Sequence, residues 1–343
     1  MEKKNLFITF PVDAGMKASE ETYKKIFSNS FNFDSFSYKN KNNKNIYNEN
    51  IRKKRYRFFA SFKLRAIIKK YVKKNELIIF HSLSAAIYTF GSFDFKRVIL
   101  TIDAPRELRN HFFNKTIKKN FIFYIQRYFY RKIPKILCWS YPAMDVFNKV
   151  YGVSKKQLFK VPGPIDAKKF NIFPRKTPIK PNVIFIGREF IRKGGDIILK
   201  NLHKFINTCN LTMVTEDKKA NVKNIKYFDA KLNKDQILNL YKSNDILILP
   251  SQFDPYGLVL AEAASAGLAV ITTKFALGSN DIVINNKTGF IAETQEECVD
   301  KLIELIKDPK KIDDFKMAAY KKMELEFTET KIYNEYIKII NQS

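Results

Sequence analysis

The second half of this sequence alternates short apolar runs with longer stretches of helical periodicity, and few folds accept that pattern. The runs are "NVIFIG" (182–187), "LTMVTE" (211–216), "NIKYFD" (224–229), "DILILPS" (245–251) and "LAVITT" (268–273), separated by helical patterns such as "GGDIILKNLHKFI" and "NKDQILNLYKSN". Strands that are apolar at nearly every position are buried on both faces, and alternating them with helices makes a parallel sheet covered on each side. The first half repeats this logic less regularly, with strands expected at "NLFITFPV", "LIIFHS", "RVILTID" and "KILCWS". A chain of 343 residues is also long for one hydrophobic core. The expectation is an α/β protein of two doubly wound, Rossmann-like domains. They occupy residues 1–165 and 182–343, joined by a Pro- and Lys-rich linker at 166–181, and the last helix is free to return to the first domain.

Charge separates the two halves. Residues 1–180 carry 39 Lys+Arg against 12 Asp+Glu, a net of +27, whereas residues 181–343 carry 23 against 22, a net of +1. A Lys- and Asn-rich coding bias loads both halves alike, so the asymmetry points to an anionic partner for the first half, a nucleic acid or an acidic membrane surface. Two segments concentrate it. In "IRKKRYRFFASFKLRAIIKKYVKKN" (51–75), Phe58, Phe59, Phe62, Leu64 and Ile67 alternate with cations at roughly helical spacing, and "NKTIKKNFIFYIQRYFYRK" (114–132) is similar. An interfacial helix has this composition; an amphipathic helix packed on its own sheet with a solvated basic face accounts for it equally well.

Cys138, Cys209 and Cys298 form no CxxC pair and have no histidine at ligand spacing, which suggests neither a disulfide framework nor zinc and fits a reducing cytoplasm. The opening "MEKKNLFITFPVDAG" meets Pro11 and Asp13 before its apolar run reaches signal-peptide length and reads as a first strand. Leu77 to Phe93, the longest uncharged stretch, contains His81, Ser82, Ser84, Thr89 and Gly91 and makes a poor membrane span.

Ligands of doubly wound sheets bind beyond the carboxyl ends of the strands. Three segments of the second half belong there. In "FIGREFIRKGG" a strand ends at Gly187, and Arg188 and Lys193 stand in the loop ahead of Gly194 and Gly195; two cations beside glycines suit a diphosphate, though solvated loop cations look the same. In "FDPYGLVLAEAASAG" (253–267), Asp254 before Pro255 reads as a helix start, and Gly257 lets a ligand approach the first turn. Glu262 lies further along, among apolar and small residues. An unpaired buried carboxylate is costly, so Glu262 is expected to accept hydrogen bonds from a bound partner, for which vicinal sugar hydroxyls are suited. The third segment, "GSNDIVINNKTGFIAE", offers Gly278, Asn280 and Asp281 before another short strand.

Taken together and in this order, "GREFIRKGG", "FDPYGLVLAEAASAGLAVITT" and "NDIVINNKTGFI" resemble the retaining glycosyltransferases of family 4, which have the GT-B fold, two Rossmann-like domains facing across a cleft. "LFKVPGPIDAKKF" (158–170) is similar to their segment leading into the second domain, and the resemblance covers residues 76–343 well. "FDPYGLVLAEA" is also similar to the branch that builds lipopolysaccharide core and related bacterial surface glycans. The family's two glutamates, separated by seven residues, fall here on Asp254 and Glu262. The resemblance implies that Asp254 contacts the donor sugar, that Glu262 holds the ribose, and that Arg188 and Lys193 bind the diphosphate. Gly15, Gly187, Tyr256, Gly257 and Leu258 complete the donor site.

Three positions depart from the family. Asp254 is shorter than Glu by a methylene. Asp103, in "LTIDAPREL", stands where many relatives have a histidine and is assigned to the acceptor. Gly15, in "PVDAGMKAS", stands where many have a glycine pair. The implied activity is transfer from a nucleoside-diphosphate sugar, a UDP-sugar being the donor expected, to a glycan or glycolipid acceptor. No cofactor is implied, and no DxD-like metal motif is present. The basic half then places a cytoplasmic enzyme peripherally on the inner face of the cell membrane. Two alternatives remain at this point: a GT-B nucleotide-sugar enzyme that does not transfer, and a nucleic-acid binder. The latter accounts for the charge and aromatics but not for Asp254 and Glu262, which repel a polyanion. Of the histidines 81, 111 and 203, His81 alone sits at an expected strand end.

Overall fold

A computed structural model describes residues 5–9, 14–35, 62, 64–70, 76–217 and 222–342. The chain divides into two units, residues 1–164 with 332–343, and residues 165–331.

In the first unit, β1 (Asn5–Thr9), β2 (Phe31–Ser35), β3 (Ile78–His81), β4 (Val98–Ile102), β5 (Lys135–Cys138) and β6 (Leu158–Lys160) form one sheet in the order β2-β1-β3-β4-β5-β6. Every pair is parallel. Its helices are α1 (Ala14–Phe27), α2 (Leu83–Tyr88), α3 (Leu108–Phe112), α4 (Phe121–Lys132) and α5 (Tyr141–Lys149). Asn120 and Ser140 cap α4 and α5 by accepting from first-turn amides. All residues of β3 and β4 are buried, as a sheet covered on both faces requires.

The second unit repeats the plan. Strands β7 (Asn182–Ile186), β8 (Asn210–Val214), β9 (Ile225–Phe228), β10 (Ile246–Leu249), β11 (Ala269–Thr273) and β12 (Gly289–Ala292) run in the order β12-β11-β10-β7-β8-β9, again all parallel. Helices α6 (Gly195–Lys200), α7 (Lys234–Ser243), α8 (Leu258–Ser265), α9 (Ser279–Ile282), α10 (Gln295–Leu305) and α11 (Pro309–Glu326) cover it, and α12 (Glu329–Asn341) follows. Strand order reverses between β7 and β10, so the crevice beyond their carboxyl ends is the expected ligand position.

Residues 166–181 fall in the second unit and are pinned there. Lys316 of α11, fully buried, donates to Asp245 Oδ1 (2.9 Å), to the Arg175 carbonyl (2.6 Å) and to Thr177 Oγ1 (3.1 Å), while Arg175 pairs with Asp245 Oδ2 at 2.9 Å. Two charges buried with every neighbour hydrogen-bonded fix this strap against the start of β10.

Of the two basic segments, residues 64–70 are helical, with Leu64 and Ile68 buried, Ile67 partly covered and Phe62 exposed. Phe58 and Phe59 lie outside the described residues, as do Pro11 and Asp13. The three cysteines are buried and free, and burial pushes the Cys209 thiol up to about 11. Among the described residues, no helix is long and apolar enough to cross a membrane.

Candidate donor site at the β7–β10 crevice

Strand β7 ends at Ile186, the N–H of the following Gly187 donates to Val214 O (2.9 Å), and the chain then turns tightly through residues 188–194. Gly194 makes this turn possible. Its φ of 82° lies in the left-handed region, and any Cβ there would run into the Pro250 carbonyl at the end of β10. The two loops are thereby locked against each other. Arg192 adds a second lock: its Nη1 donates to Phe253 O (2.6 Å), while Nε and Nη2 fork onto the Glu189 carboxylate at 2.8 and 2.6 Å.

This packing brings Lys193 onto Asp254 in a direct, largely buried ion pair. Asp254 is itself anchored. Its N–H donates to Phe275 O and its carbonyl accepts from Leu277 N, both at 2.9 Å, which draws the 275–281 segment alongside. Gly278 then donates to Tyr256 O at 3.0 Å, and the Tyr256 ring packs on the glycine. So the three segments singled out in the sequence converge on one place. One expectation is corrected: Asp254 and Pro255 do not start the helix. Asp254 is held in a β-bridge to Ala276, and α8 begins at Leu258 after Gly257, whose φ of 88° turns the chain and which offers no side-chain cap. The first-turn amides of α8 therefore lack the side-chain acceptor that Asp254 was expected to supply, and they remain suited to a phosphate.

Glu262 is partly rather than fully buried. It accepts from the Tyr241 hydroxyl of α7 at 3.2 Å. Burial, and then the adjacent carboxylate, hold the Tyr241 phenol well above its usual range, so it stays a donor to Glu262. Arg188 pairs with Glu216 beyond β8 at 2.9 Å, both side chains about half exposed. It is the more exposed of the two loop cations, and an exposed pair of this kind contributes little to stability. Leu258, in the first turn of α8, is partly exposed. Sequence reasoning missed Glu216, Tyr241 and Arg192, because their roles depend on which loops the sheet brings together. It also missed Ser251 Oγ and Asp196 Oδ1, two buried atoms at this edge with no hydrogen-bond partner among the described residues, a condition that marks a water or ligand position.

The remaining site candidates lie in the first unit. Asp103 follows β4, its Oδ1 accepting from Ala104 N at 2.7 Å. Gly15 is not in a loop as expected but in the first turn of α1. His81 ends β3 in the interior; Nδ1–H donates to Thr101 O (3.3 Å), the ring stacks on Trp139, and Nε2 has no partner among the described residues. Desolvation pushes its pKa down to about 4, so the imidazole is neutral at physiological pH. Among the described residues, no three His, Cys, Asp or Glu side chains cluster as metal ligands.

Comparison with known proteins bears on this geometry. Residues 168–322 match the family described as "Glycosyl transferases group 1". The matched stretch takes in Arg188, Lys193, Asp254 and Glu262. The chain is 24% identical over 179 residues to a glycogen synthase of Mycobacterium tuberculosis, a match that takes in 48% of this chain and 43% of that protein. It thus spans less than half the length of the curated relatives it matches. Whole-chain likeness appears among solved structures. Anabaena HepE in complex with UDP-glucose superposes with a TM-score of 0.75 at 15% identity, covering 99% of both chains. WaaG, a glycosyltransferase involved in lipopolysaccharide biosynthesis, gives 0.68 at 14% identity, over 98% of this chain and 100% of its own. The fold is accordingly GT-B, as the sequence led one to expect.

Proposed function

We propose that this protein is a retaining, family 4 glycosyltransferase that moves a sugar from a nucleoside-diphosphate sugar, with UDP as the expected nucleotide, to a glycan or glycolipid acceptor. The single observation that carries this reading is the convergence of Lys193, Asp254 and the uncapped start of α8 at the β7–β10 crevice, with Glu262 one turn further along the same helix. Cations and free amides suit a diphosphate, and carboxylates suit sugar hydroxyls; an anion-binding loop without the carboxylates would suit many ligands less specific than a nucleotide-sugar.

In this reading Glu262 accepts the ribose hydroxyls, oriented by Tyr241, and Asp254 accepts a hydroxyl of the transferred sugar while Lys193 bridges it to the diphosphate. Arg188 exchanges Glu216 for the departing phosphate. Gly187, Tyr256, Gly257 and Leu258 shape the floor, and Gly15 of the first unit is assigned to the donor as well. As the bond from the anomeric carbon to the phosphate oxygen breaks, negative charge grows on the diphosphate. Each preorganised donor aimed at such charge contributes about 2.7–4 kcal/mol to the transition state. The acceptor oxygen bonds the anomeric carbon on the face the phosphate leaves, and its proton passes to a phosphate oxygen. Lys193, Arg188 and the α8 amides supply the counter-charge that a metal supplies in other transferases, so the reaction is proposed to need none. The first unit is assigned the acceptor, with Asp103 as the carboxylate that orients its hydroxyl. Its charge favours an acceptor at the inner face of a bacterial cell membrane, and the WaaG-like fold favours a lipopolysaccharide or related surface glycan.

The test is thermal stability against UDP, ADP, GDP and CMP. A ligand at 100 times its dissociation constant adds about 2.7 kcal/mol. One nucleoside diphosphate is expected to stabilise the protein, and Arg188→Ala and Glu262→Ala to abolish the effect. If none stabilises it while single-stranded RNA does, the transferase reading fails.

A further inference from the structure

Helix α4 presents an apolar face to solvent that the donor site does not explain. Phe121, Tyr124, Tyr128 and Arg131 recur at i, i+3, i+7 and i+10 and so share one side, with Lys132 beside them. Phe123 and Tyr130 take the opposite side and are buried. The outward rings are strongly exposed, Phe121 at 78%, Tyr124 at 53% and Tyr128 at 47%. Phe90, itself half exposed, stands edge-on to Tyr128 with ring centroids 6.4 Å apart and extends the patch beyond the helix. Large exposed apolar side chains gathered on one surface mark an interaction site.

The charges around this patch identify its partner. Between Glu107 and Asp145 the chain contains no acidic residue but eight Lys and Arg. Lys115, Lys118 and Lys119, all exposed, precede the helix, and Arg131 and Lys132, also exposed, end it, so cations stand at both ends of an apolar middle. A phosphate backbone asks for cations interleaved with stacking rings along its path. A bilayer asks for the arrangement seen here: apolar and tyrosyl side chains that enter the headgroup region, with cations around them at the level of the lipid phosphates.

We infer that the outward face of α4, with Phe90 and the Lys115–Lys119 loop, is the docking surface of this protein for a membrane rich in anionic lipid. This surface is independent of the donor chemistry, and its test does not require activity.

The purified full chain is mixed with sedimenting vesicles of phosphatidylcholine containing 30% phosphatidylglycerol, and with vesicles of phosphatidylcholine alone. Binding is expected to the first and to be at least tenfold weaker to the second. Phe121→Ser/Tyr124→Ser is expected to lower vesicle affinity at least tenfold with an unchanged melting temperature, since these two side chains are mostly in water, whereas Tyr128 also packs on Phe90 and Phe95. Lys115→Glu/Lys118→Glu/Lys119→Glu is expected to lower it further, by about fivefold for each charge removed. The same change of sign at Lys310 and Lys321, exposed on α11 of the other unit, is expected to leave it unaltered. Equal binding to both vesicle types, wild-type binding by the aromatic variant, or loss of binding in the Lys310/Lys321 variant overturns the proposal. So does a pattern in which the α4 variants lose single-stranded RNA binding but keep vesicle binding.

Discussion

The two units have the same architecture and different interiors. Each is a six-stranded, all-parallel sheet whose order reverses once, yet the interior beside the reversal is neutral in one and ionic in the other. In the first unit, β3 ends among His81, Thr101, Trp139 and Tyr23; the Tyr23 hydroxyl lies 2.9 Å from Thr101 Oγ1 and 3.0 Å from Tyr336 Oη, and Trp139 Nε1 donates to it at 3.2 Å. In the second, the same position holds the Lys193–Asp254 pair, with Asp245 and Lys316 buried behind it at the other end of β10. A neutral network specifies packing. A buried ion pair at a loop costs desolvation on both partners and fits a place where a charged ligand exchanges with one of them. The scaffold alone thus says little about chemistry, which lies in the loops at the reversal.

Breaking the ion pair gives the largest effect. Lys193→Met leaves Asp254 buried without its cation, and chemical denaturation is expected to show a loss of about 3–5 kcal/mol. A loss below 1 kcal/mol means that water reaches Asp254 and that the contrast between the units is weaker than drawn. The neutral unit has its own sensitivity, to acid. The unfolded His81 imidazole takes a proton near 6.5 and the folded one only near 4. Its contribution is intact above pH 6.5 and is lost as pH falls toward 4, by roughly 3 kcal/mol in all. Comparison of pH–stability curves for the wild type and His81→Gln is expected to show that slope flattened in the variant. Next in size is Tyr23→Phe, which removes one hydroxyl and leaves Thr101 and Trp139 with one partner fewer, for about 1–3 kcal/mol by the same denaturation measurement. Smallest in stability is Arg188→Ala. Its half-exposed pair with Glu216 contributes about 0–1 kcal/mol, so the melting temperature of the free protein is expected to stay put. The same variant is nevertheless expected to lose all stabilisation by the nucleotide, which separates a ligand-binding cation from a structural one.

The fold was legible wherever strands are buried on both faces. "NVIFIG", "LTMVTE", "DILILPS" and "LAVITT" each contain a strand close to its expected place, because uninterrupted β-branched runs of this length have few other uses. Strands β2 and β6 were missed: "FNFDS" mixes polar residues into a sheet edge, and "LFK" is too short to show any period. At the candidate site, Lys193 and Asp254 were recognisable by type and spacing, but not their pairing, which depends on the contact between Gly194 and Pro250. The start of α8 was misread because Asp-Pro is a good local helix signal, and here a tertiary bridge to Ala276 takes Asp254 away from it. Glu262 was expected to accept from a bound ligand; the acceptor role seen within the protein is toward Tyr241, 21 residues away and on another helix, which no local pattern could name.

Helix α12 has a consequence for how the chain is made. From Ile332 onward it belongs to the first unit, where Tyr336 is buried, its hydroxyl donating to Pro162 O at 3.0 Å, and where Lys135 Nζ reaches the Ile339 carbonyl at 2.8 Å. These residues leave the ribosome after the whole of the second unit. At roughly 5–20 residues per second, the first unit waits on the order of ten seconds with Tyr23 and Phe27 uncovered on one side. The second unit, continuous in sequence from residue 165 to 331, can close first. Order of synthesis and order of completion are therefore inverted: the unit begun first is finished last, and during that interval its aromatic interior is the part of the nascent chain most in need of a chaperone.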